Sequence, residues 1–306
     1  MKNLYKFILT LIGINSFILI YAYPNYPIKG KINELKQRLT PRADCAPSTS
    51  SIDMSINNVR ARLLAGGDVW WDLQNGKYIV PKVQPGSGVP EVSSIFAGAV
   101  WLGGYDPVGN LKLAAQTYRT GGRNDFWPGP LDPARGTIGI DTCAKWDKHF
   151  QVLGSNISLH IKAFNDAQLA GVPLDCKSIP QDVLGWPSRG NPYFKSIHGF
   201  DLPNTSQGLA GFYDQDGDGR YNPCKGDYPI IEIRGCNAPQ YPDEMIFWIY
   251  NDAGGIHTQT QGKPIQMEIQ VQAFAYATND EINNMTFQRY KLINRPGKGG
   301  CIKDYK

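Results

Sequence analysis

Residues Asp214-Gln215-Asp216-Gly217-Asp218-Gly219 set three carboxylates at alternate positions and end on a glycine. A hard divalent cation suits that arrangement. In a Ca²⁺ loop, positions one, three and five supply side-chain oxygens, and glycine at six permits the sharp turn. Three like charges this close repel one another, and a bound cation relieves them. Counting from Asp214, Arg220 offers its backbone carbonyl at position seven and Asn222 an oxygen at nine. Position twelve, where a bidentate glutamate is expected, is Lys225, which leaves Asp227 to close the site. Pro223 and Gly226 disfavour a helix leaving the loop, because Pro lacks a donor and Gly carries an entropic cost. The reading is a lone Ca²⁺-stabilised loop between strands, with Asp214, Asp216, Asp218, Arg220, Asn222 and Asp227 as ligands. The competing reading is a solvated Asp/Gly turn held by side-chain-to-backbone hydrogen bonds.

Other chemistry is thinner. The histidines His149, His160, His198 and His257 are widely spaced, and the HExxH, GxSxG, P-loop and dinucleotide-binding glycine patterns are missing. A glycoside-hydrolase reading would nominate Asp243, Glu244, Asp280 or Glu281, since that chemistry needs only two suitably separated acids. No catalytic residue is assigned, and catalysis is the less favoured reading. The aromatics Trp70, Trp71, Trp101, Phe126, Trp127, Trp186 and Trp248 lie near Gly, Pro and Asp. Such rings stack on sugars or fill a core, and the core is the commoner use. Asp125–Pro130 (DFWPGP) is the cluster best placed to be a loop platform, so Phe126 and Trp127 are the candidate ligand-stacking residues.

The start of the chain sets the compartment. Residues 1–22 read as a secretory signal peptide: Lys2 and Lys6 precede the mostly apolar Phe7–Ile20, and Ala22 offers a cleavage point. The apolar run falls short of the ~20 residues that span a bilayer, so no membrane span is expected after cleavage. In an oxidising compartment Cys45, Cys143, Cys176, Cys224, Cys236 and Cys301 are disulfide candidates. No CxxC pair supports zinc. The sequence does not choose the connectivity; Cys224 with Cys236 is the pair nominated, with buried free thiols as the alternative. A net charge of +4 over 306 residues leaves no footprint for nucleic acid.

The elements that must position these residues read mainly as strands. After a polar segment at 23–50, with a short helix expected over Ile32–Leu39, Val59, Ala61 and Leu63 alternate with Arg60 and Arg62, the period-two signal of a half-buried strand. Val69–Trp71 and Ile95–Leu102 follow, and Leu111–Tyr118 is the expected return of a hairpin across 103–110. Asp141–Leu153 and Asn156–Leu169 have helical character, and 173–192 is loop-like. Met245–Tyr250 is an apolar run, and Met285–Ile293 is a further strand. The clearest strand sets Ile265, Met267, Ile269 and Val271 against Gln266, Glu268, Gln270 and Gln272. The fold class expected is mainly β: a β-sandwich-like pair of antiparallel sheets with a short helical and loop insert in the middle. The 33 glycines and 22 prolines agree with many turns. The β-rich module spans 51–295, with a sub-domain split expected near 140–200.

Several segments together resemble the N-terminal region of large secreted surface proteins of Bacteroidota. They are Asp53–Leu64 (DMSINNVRARLL), Gly67–Asp72 (GDVWWD), Ser94–Asp106 (SIFAGAVWLGGYD), Ala115–Arg119, Phe126–Asp132, Cys143–His149, the acidic loop running into Gly226–Pro229, Trp248–Asp252 and Ala277–Asn284. The resemblance covers roughly residues 50–295. It implies export by the type IX secretion route and a long multidomain exoprotein ending in a sorting domain, and it carries over no catalytic residue. The chain departs from that plan at 296–306 (PGKGGCIKDYK), where further strands are expected, so a truncated fragment is one reading. The leading expectation is a secreted or cell-surface, non-enzymatic structural or adhesion module with Ca²⁺ in its acidic loop and a surface glycan or cell-surface protein as partner. The alternative is a carbohydrate-binding module or glycoside hydrolase using the aromatic loops.

Overall fold

A computed structural model of the protein describes residues 45–84, 86–205, 208–232 and 240–295. The signal peptide, most of the polar segment, Cys236, Cys301 and the 296–306 tail lie outside the described residues. Strands β1 (Ser51–Met54), β2 (Arg60–Leu64), β3 (Asp68–Val69), β4 (Tyr78–Ile79), β5 (Ser93–Ile95) and β6 (Gly98–Ala99) build a first sheet, ordered β5-β4-β2-β3-β6 with β1 also on β2. The alternation at Val59, Ala61 and Leu63 does what it promised: all three are buried. Strands β7 (Leu102–Tyr105) and β8 (Leu111–Ala114) form the expected hairpin.

The middle of the chain is part helical. It carries β9 (Trp127–Pro128), α1 (Ile140–Trp146), β10 (Phe150–Leu153), α2 (Gly154–Ala170), α3 (Gln181–Leu184) and α4 (Phe194–His198). The helix expected over Asp141–Leu153 stops at Trp146. Phe150 and Val152 then point inward with Gln151 exposed between them, a period-two pattern, and β10 pairs antiparallel with the main sheet. That pairing crosses the stretch where a sub-domain split was expected. Helix α2 ends at Gly171, whose φ of 66° is the left-handed cap that glycine adopts cheaply.

The short pair β11 (Phe212–Tyr213) and β12 (Tyr228–Pro229) precedes three long strands, β13 (Glu244–Asn251), β14 (Met267–Ala275) and β15 (Phe287–Asn294). These join β10 and β9 in an antiparallel sheet, ordered β10-β13-β14-β15 with β9 on β13. The register assigns the faces. Ile246 opposite Ala273, Trp248 opposite Val271 and Tyr250 opposite Ile269 face the first sheet and pack with Met54, Leu63 and Val69. That is the sandwich core. Met245, Phe247 and Ile249 face the other way and pack with Trp146, Trp186, Phe194 and Tyr221 of the insert. Strand β13 is therefore buried at every residue, as its unbroken apolar run requires.

Strand β14 differs from its simplest reading. Its polar residues Glu268, Gln270 and Gln272 are at most 2% exposed, because the insert covers them. Glu268 forms an ion pair with buried Arg295 and accepts the Leu131 N–H, while Gln270 and Gln272 donate to the carbonyls of Gly208 and Ile230. A polar face buried in this way has its donors satisfied by loop backbone.

Candidate metal centre

The acidic loop lies between β11 and β12, whose Tyr213 and Tyr228 rings stack at 4.8 Å. Its far end is fixed to the insert. Gly226 has φ 99°, and a Cβ there would meet the Phe164 ring of α2 at 2.6 Å, so both backbone and space demand glycine. His160 of α2 donates from Nε2 to the Asp227 carbonyl at 3.0 Å. Cys224 is disulfide-bonded to Cys176, which corrects the expected pairing with Cys236. A second disulfide joins Cys45 to Cys143.

Asp214, Asp216 and Asp218 converge, each offering an oxygen within 4.8 Å of the others. Local hydrogen bonds set this up. Asp214 accepts the N–H of Gly217 through Oδ1 (2.8 Å) and of Gly219 through Oδ2 (2.7 Å). Asp216 Oδ1 accepts from the Asp218 N–H, and Asp218 Oδ1 from the Arg220 N–H. These are the side-chain-to-backbone turns that Asp favours, and they bring the three carboxylates together.

Lys225, counted from sequence as a missing ligand, supplies charge instead. Its Nζ lies 2.6 Å from Asp216 Oδ2 and 3.1 Å from Asp218 Oδ2. Hydrogen bonds to those carboxylates raise the Lys225 ammonium pKa above its usual value, and the bond from Lys225 holds the Asp216 carboxyl below the usual range. Three carboxylates against one ammonium leave two negative charges uncompensated.

The other nominated ligands are engaged within the loop. The Asn222 side-chain oxygen caps the 3₁₀ turn Pro223–Lys225 by accepting the Cys224 N–H. Asp227 is fully buried, and its Oδ1 and Oδ2 accept the N–H groups of Gln215 (2.8 Å) and Asn222 (2.7 Å). It stands apart from the converging triad. Burial pushes its carboxyl up to about 6, against the pull of those two N–H donors, with the negative Asp214 and Asp216 adding to the rise. Arg220 donates its N–H to Asp218, and among the described residues its carbonyl accepts no backbone hydrogen bond.

The aromatic platform is a correction. Phe126 is 0% and Trp127 4% exposed. Phe126 packs edge-on against Tyr250 at 5.3 Å. Trp127 lies in β9 on the main sheet, and a Cβ at Gly254 or Gly255 would come within 2.7 Å of its indole. Both are core residues. The most exposed aromatics among the described residues are Trp101 and Tyr105 (68% and 76%), each two residues from Gly103 at and just before β7; strand alternation there was the signal that could have found them.

Three of the four nominated acids likewise hold backbone. Glu244 is buried and accepts the N–H groups of Ser55 and Ile56, Asp243 accepts that of Ala277, and Asp280 caps the turn Glu281–Asn284 through the Ile282 N–H. No protein-family model matches this chain, and neither a curated protein nor a solved structure is similar to it.

Proposed function

We propose that the chain is a secreted or cell-surface, non-enzymatic β-sandwich module of structural or adhesion type whose acidic loop binds Ca²⁺. The observation that carries the reading is the charge balance: Asp214, Asp216 and Asp218 converge, and among the described residues only Lys225 pairs with them. A divalent cation matches the deficit of two charges, and a carboxylate oxygen already holding one N–H keeps a lone pair for it. The residues to hold it are the three aspartates and the Arg220 carbonyl; a bound ion supplies stability and no bond-making chemistry. Two disulfides agree with an oxidising compartment. Among the described residues no helix is long and apolar enough to cross a membrane. Kinship with Bacteroidota exoproteins of the type IX route rests on the sequence segments alone.

Titration calorimetry and thermal melts with CaCl₂ test the metal. A ligand that binds only the folded state raises its stability, so millimolar Ca²⁺ is expected to raise Tm, and D216N/D218N to abolish the effect. Lys225→Met removes the competing ammonium and is expected to tighten Ca²⁺ binding. Absence of both heat and Tm shift at about 5–10 mM, several-fold above the ~1 mM upper limit of Kd for extracellular modules, overturns the reading in favour of a loop neutralised by Lys225 alone.

A further inference from the structure

A cleft of about 620 Å³ opens beside α1, away from the residues of the acidic loop. We infer that it is a binding site for a neutral, hydroxyl-rich ligand of small-saccharide size. Its volume falls in the ~300–1,000 Å³ range of small-molecule sites.

The walls are built before any ligand arrives. Asp132 accepts the N–H groups of Ala134 and Arg135 through Oδ1 (2.9 and 2.8 Å), and its own N–H and carbonyl bond to Thr137 and Gly136. Gly136 has φ 63°, and a Cβ there would collide with the Arg295 carbonyl at 1.9 Å. The turn 132–137 is thus closed on itself and seated hard against the end of β15. On its core side Leu131 donates its N–H to buried Glu268.

Several residues lining this cleft carry polar groups without a side-chain partner among the described residues. Trp146 is 2% exposed and lines it, and its indole N–H makes no hydrogen bond to any described residue. The indole nitrogen is not among the fully buried unpartnered atoms, so it is open to solvent and free to donate to a hydroxyl. The Arg135 guanidinium, the Thr137 hydroxyl, the Asn204 amide and the second oxygen of Asp132 are lining groups with no side-chain partner among the described residues. Asp201, also lining, is already paired with Lys195 at 2.8 Å.

The charges identify the ligand class. Arg135 and Asp132 cancel, and so do Asp201 and Lys195, so the cleft favours neither an anion nor a cation. What remains is a mixture of donors and acceptors around proline rings (Pro133, Pro203) and an indole. Vicinal hydroxyls both donate and accept, and a sugar ring offers an apolar C–H face to such surfaces. The site is independent of the Ca²⁺ reading, and none of its residues belongs to the acidic loop.

The test is saturation-transfer NMR and calorimetry with maltose, cellobiose, lactose and N,N′-diacetylchitobiose, alongside glucuronate and galacturonate, at up to 20 mM, in EDTA so that loss of the metal site cannot affect the result. Saturable binding of at least one sugar is expected, weakened at least tenfold in R135A/N204A with Tm unchanged. Conservative T137S is expected to retain binding. Three results overturn the inference: no binding across the panel, binding that survives R135A/N204A, or binding seen only with glucuronate or galacturonate, which would make the cleft an anion site.

Discussion

Replacing Glu268 with Gln tests the most consequential feature of the fold, the burial of a polar strand face beneath the insert. Glu268 is 0% and Arg295 4% exposed. Their contact is two-pronged, Nε to Oε2 and Nη2 to Oε1, each at 3.1 Å. Glu268 also accepts from Leu131 (3.0 Å) and Gln270 (2.8 Å). The variant keeps the shape and removes the Glu268 charge from beside the buried guanidinium. Breaking a buried pair from one side costs about 3–5 kcal/mol. For about 250 ordered residues the unfolding entropy near Tm is ~0.5 kcal/mol/K, so Tm should fall by about 6–10 °C. Adding Arg295→Met to E268Q removes the buried guanidinium as well and should recover at least half of that loss, because the double variant no longer buries that charge opposite a neutral amide. Differential scanning calorimetry of the four proteins gives the cycle. If E268Q melts within 2 °C of the parent, water reaches Glu268, and the account of a covered polar face is wrong.

Three further outcomes follow from named contacts. Trp127→Ala empties a site closed by Gly254, Gly255 and His257 and should cost about 3–5 kcal/mol in urea denaturation; unchanged stability would return Trp127 to the surface. Asp227 ionises near 3.8 when unfolded and only near 6 when folded. Its burial penalty is therefore absent below pH 4 and complete above pH 6, so this residue contributes about 3 kcal/mol of stability at low pH that is lost as pH rises through 6; Asp227→Asn should flatten the Tm-against-pH curve in that window, and a curve unaltered in slope counts against it. Non-reducing peptide mapping should recover Cys176 linked to Cys224, across a separation of 48 residues, and C176S/C224S should lose about 4 kcal/mol by loop entropy; a Cys224–Cys236 peptide would refute the pairing.

Long-range burial is where the sequence reading and the structure part. The period-two signal at Met267–Val271 located β14 correctly because alternation is a property of the strand itself. Whether Glu268 and Gln270 meet water is decided by what the chain lays over them, and the covering carbonyls of Gly208 and Ile230 come from about 40 to 60 residues earlier. Nothing local encodes that. The platform at Phe126–Trp127 failed for the same reason. Pro128, Gly129 and Pro130 read as loop, yet Asn251 donates to the carbonyls of Trp127 and Gly129 and β13 takes Trp127–Pro128 as an edge strand. Proline tolerates an edge, so the turn signals and the buried position are compatible.

The acidic loop shows how far spacing can reach. Bonds from Asp214 to residues three and five ahead, and from Asp216 and Asp218 to residues two ahead, lie within one turn, so the convergence of the triad follows from the motif. Lys225 was legible only as a defect, because its role depends on the 3₁₀ turn Pro223–Lys225 folding the chain back over the carboxylates. That turn stands because Asn222 caps it, Gly226 reverses it against Phe164, and Asp227 ties its base to Gln215 and Asn222. A loop carrying its own ammonium is held by bonds that do not require a metal. On the proposed reading Ca²⁺ therefore adjusts the stability of a loop already formed, competing with Lys225 for Asp216 and Asp218, and the affinity gained by Lys225→Met measures that competition directly.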